Sequence, residues 1–204
     1  MPRLALMIDL ERCTGCKSCE AACKSEHALG PTERHNRVVW LGSKLEENSD
    51  NNQALDFLAL ACQHCERPAC VRACPVSPKA ISKNKETGVV TVNEDACVGC
   101  GECVTACPYG AMGFDPDGRH AVKCDLCSDR RAEGAATTAC AAVCPTKAIT
   151  FGPRDELLKT TEANNREMIK NDPFLLGPAT IYLDRITTVS YTHLTLPTTD
   201  RVGL

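Results

Sequence analysis

Apolar residues come in short bursts along this chain, separated by long polar or cysteine-bearing stretches. The bursts at residues 4–10, 38–41, 89–92, 121–123 and 148–151 are of strand length and rich in aliphatic side chains, so each predicts a short strand. Glu86-Thr87-Gly88, just ahead of Val89, predicts a hairpin turn. Helical patterns are brief, at residues 17–26 and 101–107. Residues 154–171 are rich in charge and have helical composition, which predicts a surface or partner-facing helix. Residues 46–53 are acidic and rich in Asn, so they predict an exposed loop. Short helices and short strands in mixed order predict an α+β fold. No apolar run approaches the roughly 18 residues needed to span a bilayer, so direct membrane insertion is not expected.

Composition complicates that picture. With 204 residues the chain has room for one domain or two small ones, yet aromatics are only 4% and the apolar core looks thin. A net charge of -3 and a pI near 6.0 give no reason to expect a nucleic-acid partner. Something other than apolar burial must hold the fold, and the candidate is the set of 16 cysteines. The N-terminal stretch turns acidic too early for a signal peptide and lacks a twin-Arg pair. The expectation is folding in a reducing cytoplasm, where clustered cysteines favour metal over disulfide.

The cysteines fall into four groups of four. Group one is Cys13, Cys16, Cys19 and Cys23; group two is Cys62, Cys65, Cys70 and Cys74; group three is Cys97, Cys100, Cys103 and Cys107; group four is Cys124, Cys127, Cys140 and Cys144. Groups one and three share the spacing C-x2-C-x2-C-x3-C. Three groups also end in Cys-Pro followed by a small-plus-apolar pair: Ala80-Ile81, Ala111-Met112 and Ala148-Ile149. Such a repeat implies duplication of one structural unit. Iron–sulfur cubanes take four thiolates, and in this spacing the last cysteine reaches the other cluster of a pair. Zinc also uses C-x2-C pairs, and group four alone would suit either metal, but three cysteines packed as in groups one and three favour a cluster. Group one departs from the repeat in one respect: Lys24 stands where the others have Pro.

Other residues near the groups are open to ordinary readings. His64, between two cysteines, is read as a partly exposed packing residue in preference to a hydrogen-bond donor to a sulfide. Lys123, Arg130 and Arg131 place positive charge beside group four, either tuning a cluster or forming a solvated face. Trp40 and Tyr109 are read as packing residues. The five histidines are scattered, and no nucleophile triad, P-loop or dinucleotide fingerprint is present. No catalytic residue is assigned, so substrate chemistry is expected on another subunit.

The pattern as a whole resembles the four-cluster, ferredoxin-type electron-transfer subunit of DMSO reductase-type molybdopterin oxidoreductases. The residues that carry the resemblance are Ile8-Asp9-Leu10 before Cys13-Thr-Gly-Cys16, Cys62-Gln-His-Cys65-Glu-Arg-Pro68, Gly88-Val-Val90, Cys107-Pro-Tyr-Gly110, Lys123-Cys124 and the segment from Cys144-Pro to Phe151-Gly152. It covers about residues 4 to 152, and Ile181-Tyr-Leu183 is similar to the family's end. The resemblance implies two ferredoxin-like [4Fe–4S] modules, one inserted in the other: residues 1–54 plus 116–152 outside, and 55–115 within. A partner-facing extension would follow at 153–188.

It also implies four [4Fe–4S] clusters. Their ligand sets would be Cys13/Cys16/Cys19/Cys144, Cys23/Cys124/Cys127/Cys140, Cys62/Cys65/Cys70/Cys107 and Cys74/Cys97/Cys100/Cys103. Some members lack the second cysteine of group three; Cys100 fills it here, which implies four cubanes and no three-iron centre. The implied partners are a molybdopterin-containing catalytic subunit and a membrane quinone-reactive subunit, the chain serving as a non-catalytic relay. The implied location is cytoplasmic assembly followed by membrane association through partners, with export beside a twin-Arg-bearing partner as a route to the periplasm. A free-standing polyferredoxin shuttle is the alternative.

The last stretch reads differently. Residues 189–199, Val-Ser-Tyr-Thr-His-Leu-Thr-Leu-Pro-Thr-Thr, look like the in-frame translation of a sequencing-library adapter, so 189–204 are set aside from fold reasoning. Nucleotide reads continuing through codon 189 without adapter sequence would refute this.

Overall fold

In the computed structural model, residues 2–42 and 56–184 are described; the acidic loop read at 46–53 and the stretch 189–204 lie outside them. Fifteen short elements follow one another: β1 (Leu4–Asp9), α1 (Ser18–Glu26), β2 (Asn36–Gly42), β3 (Asp56–Ala61), α2 (Ala69–Ala73), β4 (Ile81–Lys83), β5 (Val90–Val92), α3 (Glu102–Ala106), β6 (Gly113–Asp115), β7 (His120–Val122), α4 (Ser128–Ala132), α5 (Ala139–Val143), β8 (Ile149–Pro153), α6 (Arg154–Ala163) and β9 (Ile181–Leu183). This is the expected α+β composition. Strands β1, β2, β5, β7 and β8 fall on the apolar bursts; β3, β4, β6 and β9 are too short or too mixed to stand out in the sequence.

The apolar burst at the N-terminus becomes the middle strand of a sheet ordered β8-β1-β9. β1 runs antiparallel to β8, from Leu4 opposite Pro153 to Ile8 opposite Ile149, and parallel to β9, with Met7 opposite Ile181. A central strand covered on both faces needs a near-continuous apolar run, and Ala5, Leu6 and Ile8 are all buried. Three two-stranded hairpins make up the rest: β2-β3, β4-β5 and β6-β7. The turn between β4 and β5 is pinned by Asn84, whose side chain accepts the Glu86 and Thr87 amides at 2.9 Å each. Isolated hairpins are marginal in water, so these depend on what they pack against.

What they pack against contains sulfur. The main core joins Leu6, Ile8, Leu58 and Tyr182 with Cys19, Cys62, Cys124, Cys140 and Cys144. A second core joins Ile81, Val90 and Met112 with Cys70 and Cys103. α1 packs on α5 and α2 on α3, so each helix pair brings cysteines from two groups together. A third, wholly aliphatic cluster of Ala5, Leu157, Ala179, Ile181 and Leu183 seats α6 on the sheet.

The C-terminal region departs from the sequence reading. The helix expected over 154–171 stops at Ala163, because Asn165 takes a left-handed conformation (φ 50°) that a helix cannot continue through. The chain then folds back. Arg166 grips the Asp9 carboxylate with two nitrogens, at 2.7 and 2.9 Å, and the Asp184 carbonyl at 2.6 Å. Beyond it the strand-like return braces the loop of group two: Ala179 donates to the Gln63 carbonyl at 2.7 Å, Thr180 Oγ1 to the Cys62 carbonyl at 3.1 Å, and Glu66 to the Gly177 carbonyl at 2.8 Å. The extension is therefore an internal strap along much of its length.

Asp9 and Arg166 have side chains only 10% and 11% exposed. Without Arg166 the Asp9 carboxylate keeps only the exposed Arg12, 3.6 Å away, and breaking such a buried pair costs about 3–5 kcal/mol. Arg166→Ala is expected to destabilise by that amount, read as a lower denaturant midpoint, whereas Arg12→Ala, whose side chain is 59% exposed, should move the midpoint little.

Candidate iron–sulfur sites

Each cysteine group is built on the same backbone device. The residue just before the second cysteine is left-handed in all four: Gly15 (φ 69°), His64 (φ 42°), Gly99 (φ 68°) and Leu126 (φ 59°). In groups one and three the residue before the next helix is left-handed as well, at Lys17 (φ 61°) and Gly101 (φ 75°). Such curls turn successive N–H groups toward one concave face, a shape suited to anions including iron–sulfur clusters. Space as well as φ demands glycine at two of these positions. A Cβ on Gly15 would lie 2.5 Å from the Phe57 ring, and one on Gly99 would lie 2.4 Å from the Arg119 carbonyl oxygen.

The Cys-Pro repeat also acquires a physical role. α2, α3 and α5 each stop one residue before the cysteine, and Cys74, Cys107 and Cys144 are extended, as a residue preceding proline must be. The chain then doubles back and points an alanine amide at the sulfur. Ala148 donates to Cys144 Sγ at 3.2 Å; Ala80, with Val76 and Ile81, donates to Cys74; Ala111, with Tyr109 and Met112, donates to Cys107. The small residue of the repeated pair lets the backbone come this close. Where Lys24 replaces proline, α1 continues past Cys23 to Glu26, and the lysine amine donates to the Gly30 and Pro31 carbonyls at 2.8 and 2.7 Å.

Three small cavities of similar size lie among the cysteines. One is lined by Cys13, Cys16, Cys19 and Cys144, a second by Cys62, Cys65, Cys70 and Cys107, a third by Cys74, Cys97, Cys100 and Cys103. The remaining four are mutual neighbours: Cys140 and Cys127 act on Cys23, and Cys140 and Cys23 act on Cys124. All sixteen are free thiols. The donor set and the cavities fit [4Fe–4S] clusters.

Burial dominates the electrostatics of these thiols. Burial foremost, then neighbouring thiols, pushes Cys19 and Cys65 up to about 12. Burial likewise raises Cys70 to about 12 and Cys127 to about 11. Iron must displace these protons, so cluster binding releases them and supplies folding free energy.

Several neighbouring residues differ from their sequence readings. His64 is fully buried rather than partly exposed; its Nδ1 accepts the Val90 amide at 3.0 Å, which leaves the ring proton on Nε2, a buried atom with no partner. Trp40 is no packing residue, standing 63% exposed near the outer end of β2, whereas Tyr109 is buried edge-on against Phe174. Arg130 pairs with Glu26 at 3.1 Å, and Arg131 lies over the Phe151 ring at 5.7 Å, so both belong to the fold's own fabric. Lys123 is buried. The histidines are less scattered than the sequence suggests: His27 and His35 stack 4.6 Å apart, with ligand atoms within 4.8 Å of Cys23. The only sequence trace of this is His27 one helical turn beyond Cys23.

Comparison with known proteins agrees with this chemistry. A 4Fe–4S dicluster domain matches residues 53–154 and a 4Fe–4S binding domain matches residues 4–25. The chain is 42% identical over 156 residues to the B subunit of the anaerobic dimethyl sulfoxide reductase of Escherichia coli (strain K12), with 74% of each protein covered. It is 33% identical over 177 residues to the thiosulfate reductase electron transfer subunit PhsB of Salmonella typhi, covering 87% of this chain and 90% of that one. It is 35% identical over 150 residues to the B subunit of the polysulfide reductase of Wolinella succinogenes, covering 74% of this chain and 76% of that one.

Gly99 and Gly101 separate the two costs of a side chain at a left-handed position. Gly101→Ala meets nothing within 4 Å and adds backbone strain of about 1 kcal/mol. Gly99→Ala adds the collision with Arg119. Iron content after anaerobic purification is expected to stay near wild type for Gly101→Ala and to fall clearly for Gly99→Ala.

Proposed function

The chain belongs to the family of ferredoxin-type iron–sulfur subunits of DMSO reductase-type molybdopterin oxidoreductases, and from that premise we propose that it relays single electrons through four [4Fe–4S] clusters. The relay would connect a molybdopterin-containing catalytic subunit with a membrane quinone-reactive subunit or another redox partner. Bound clusters supply the one-electron oxidation and reduction; the chain's residues hold them, insulate them and set their surroundings.

The observation that carries the reading is the distribution of exposure over the ligand sets. We assign these as Cys13/Cys16/Cys19/Cys144, Cys23/Cys124/Cys127/Cys140, Cys62/Cys65/Cys70/Cys107 and Cys74/Cys97/Cys100/Cys103. The exposed cysteines are Cys16 and Cys100, which fall in the first and last of these sets. Cys19 feels Cys140, and Cys124 feels Cys62, so the first set adjoins the second and the second adjoins the third. α2 packed on α3 joins the third to the fourth. A line with accessible ends and buried middle sites suits a conductor between two partners.

Nested modules follow from the same assignment. Residues 55–115 would form the inner module, and 1–54 with 116–152 the outer one, which agrees with β8 closing on β1 and α5 on α1. Residues 153–188 would form the extension. It borders an open groove of about 930 Å³ that includes Arg3, Arg154 and Lys170 and is a candidate docking surface. Among the described residues no helix is long and apolar enough to cross a membrane; membrane association through a partner is part of the same proposal.

Anaerobically purified protein should be brown and carry about sixteen iron and sixteen sulfide per chain, four per cubane. Cys13→Ser and Cys144→Ser should abolish or alter the same EPR signal, and Cys124→Ser a different one. If Cys13 and Cys144 report on different clusters, the ligand sets are wrong; a stoichiometric [3Fe–4S] signal would rule out four cubanes. Removing the metal tests its part in folding: the iron-free chain should show no cooperative calorimetric transition of native size.

A further inference from the structure

Lys123 follows β7 and immediately precedes the first cysteine of group four, at the meeting point of the two proposed modules. It is 3% exposed, and its amine donates to the Cys124 carbonyl at 2.6 Å and to the Val90 carbonyl. Among the described residues no carboxylate pairs with it, in contrast to the other buried charged residue, Asp9, which has Arg166. Two carbonyl dipoles do not offset the desolvation of an ammonium, and buried charges are ordinarily paired. A counter-charge is therefore missing from the protein atoms.

The surroundings locate it. Val90 lines the cavity of Cys62, Cys65, Cys70 and Cys107, so the amine lies behind one wall of that cavity. On its other side is Cys124. Cys70 lines the same cavity as Val90. Nearby, the Arg3 guanidinium donates to the His64 carbonyl at 3.1 Å.

Building on the ligand sets above, we infer that the Lys123 ammonium is the fixed counter-charge shared by the Cys62/Cys65/Cys70/Cys107 and Cys23/Cys124/Cys127/Cys140 clusters and sets their potentials together. A cluster gains one negative charge on reduction. A fixed cation nearby in a poorly polarisable interior favours the reduced form of each and raises both potentials. The same amine holds the Val90 carbonyl while His64 accepts the Val90 N–H, so this residue of the cavity wall is tied on both its peptide units. Lys123 acts as a positioning and tuning residue that need not touch either cluster.

The test uses the full holo-chain, with iron and sulfide assayed first and the midpoints then read by EPR-monitored redox titration. Lys123→Met should lower two of the four midpoints, each by at least tenfold in the reduced-to-oxidised ratio at a set potential, which is 59 mV for a one-electron couple. Lys123→Arg should leave all four near wild type. Unchanged midpoints in a fully loaded Lys123→Met, an equal shift of all four, or an equal fall in Lys123→Arg would each overturn the inference. Should Lys123→Met lose iron, Lys123→Gln is read in its place. Iron loss in both neutral variants but not in Lys123→Arg supports the counter-charge, whereas loss in Lys123→Arg too assigns Lys123 to shape and overturns it. Wild-type protein without four clusters would defeat the ligand sets themselves, and that result precedes any variant.

Discussion

Thiols buried against one another cannot all ionise, and nearly everything in this fold answers that constraint. Burial foremost pushes the Cys19, Cys65 and Cys70 thiols up, toward the protonated form. With iron they become a dense block of negative charge in an interior short of aliphatic and aromatic packing. The chain lays dipoles about these sulfurs: left-handed curls that aim amides inward, and alanine amides on Cys74, Cys107 and Cys144. Apolar burial alone would not hold three isolated hairpins. Sulfur coordination couples them to the sheet and to each other.

The repeating part of this arrangement was legible in the sequence, because spacing and chemistry coincide there. C-x2-C-x2-C needs tight loops, Cys-Pro ends a helix, and a small residue must follow where the backbone returns to the sulfur. The strands at β1, β5, β7 and β8 were legible for a different reason: they are apolar runs too short to be anything else. The left-handed positions were visible only where glycine marked them, at Gly15 and Gly99. At His64 and Leu126 tertiary context imposes the same conformation on residues that disfavour it, and no local pattern announces this.

What stayed hidden depended on contacts between distant segments. Helical composition from 154 onward is real, but Asn164 and Asn165 end the helix and Arg166 turns inward to Asp9, at the far end of the chain. Residues 171–180 then hold the loop that carries Cys62 and Cys65, through Asn171 on Gln63, Ala179 on the Gln63 carbonyl and Thr180 on the Cys62 carbonyl. All ligand cysteines lie before residue 145, which suggests from the sequence that the C-terminus matters only for docking. The contacts argue otherwise: Asn171, Gly177, Ala179 and Thr180 all hold the loop of group two. His64 departs from its sequence reading for the same reason, since its neighbours Val90, Lys123 and Arg3 come from three separate parts of the chain.

Lys24 illustrates how one residue breaks the symmetry of a duplicated unit. Proline after Cys74, Cys107 and Cys144 ends each helix at the cysteine, so nothing follows on the same face. Lysine after Cys23 lets α1 run one turn further, to Glu26. That turn places Glu26 against Arg130 of α4 and His27 against His35 and Asp125, 3.5 Å from the latter's carboxylate. Burial, then the neighbouring His27, lowers His35 to about 4, so that ring stays neutral near Cys23. A proline at 24 would remove the helical turn that supports these contacts. The departure from the repeat is thus what gives the Cys23 end of α1 its own surroundings, distinct from those of the other three groups.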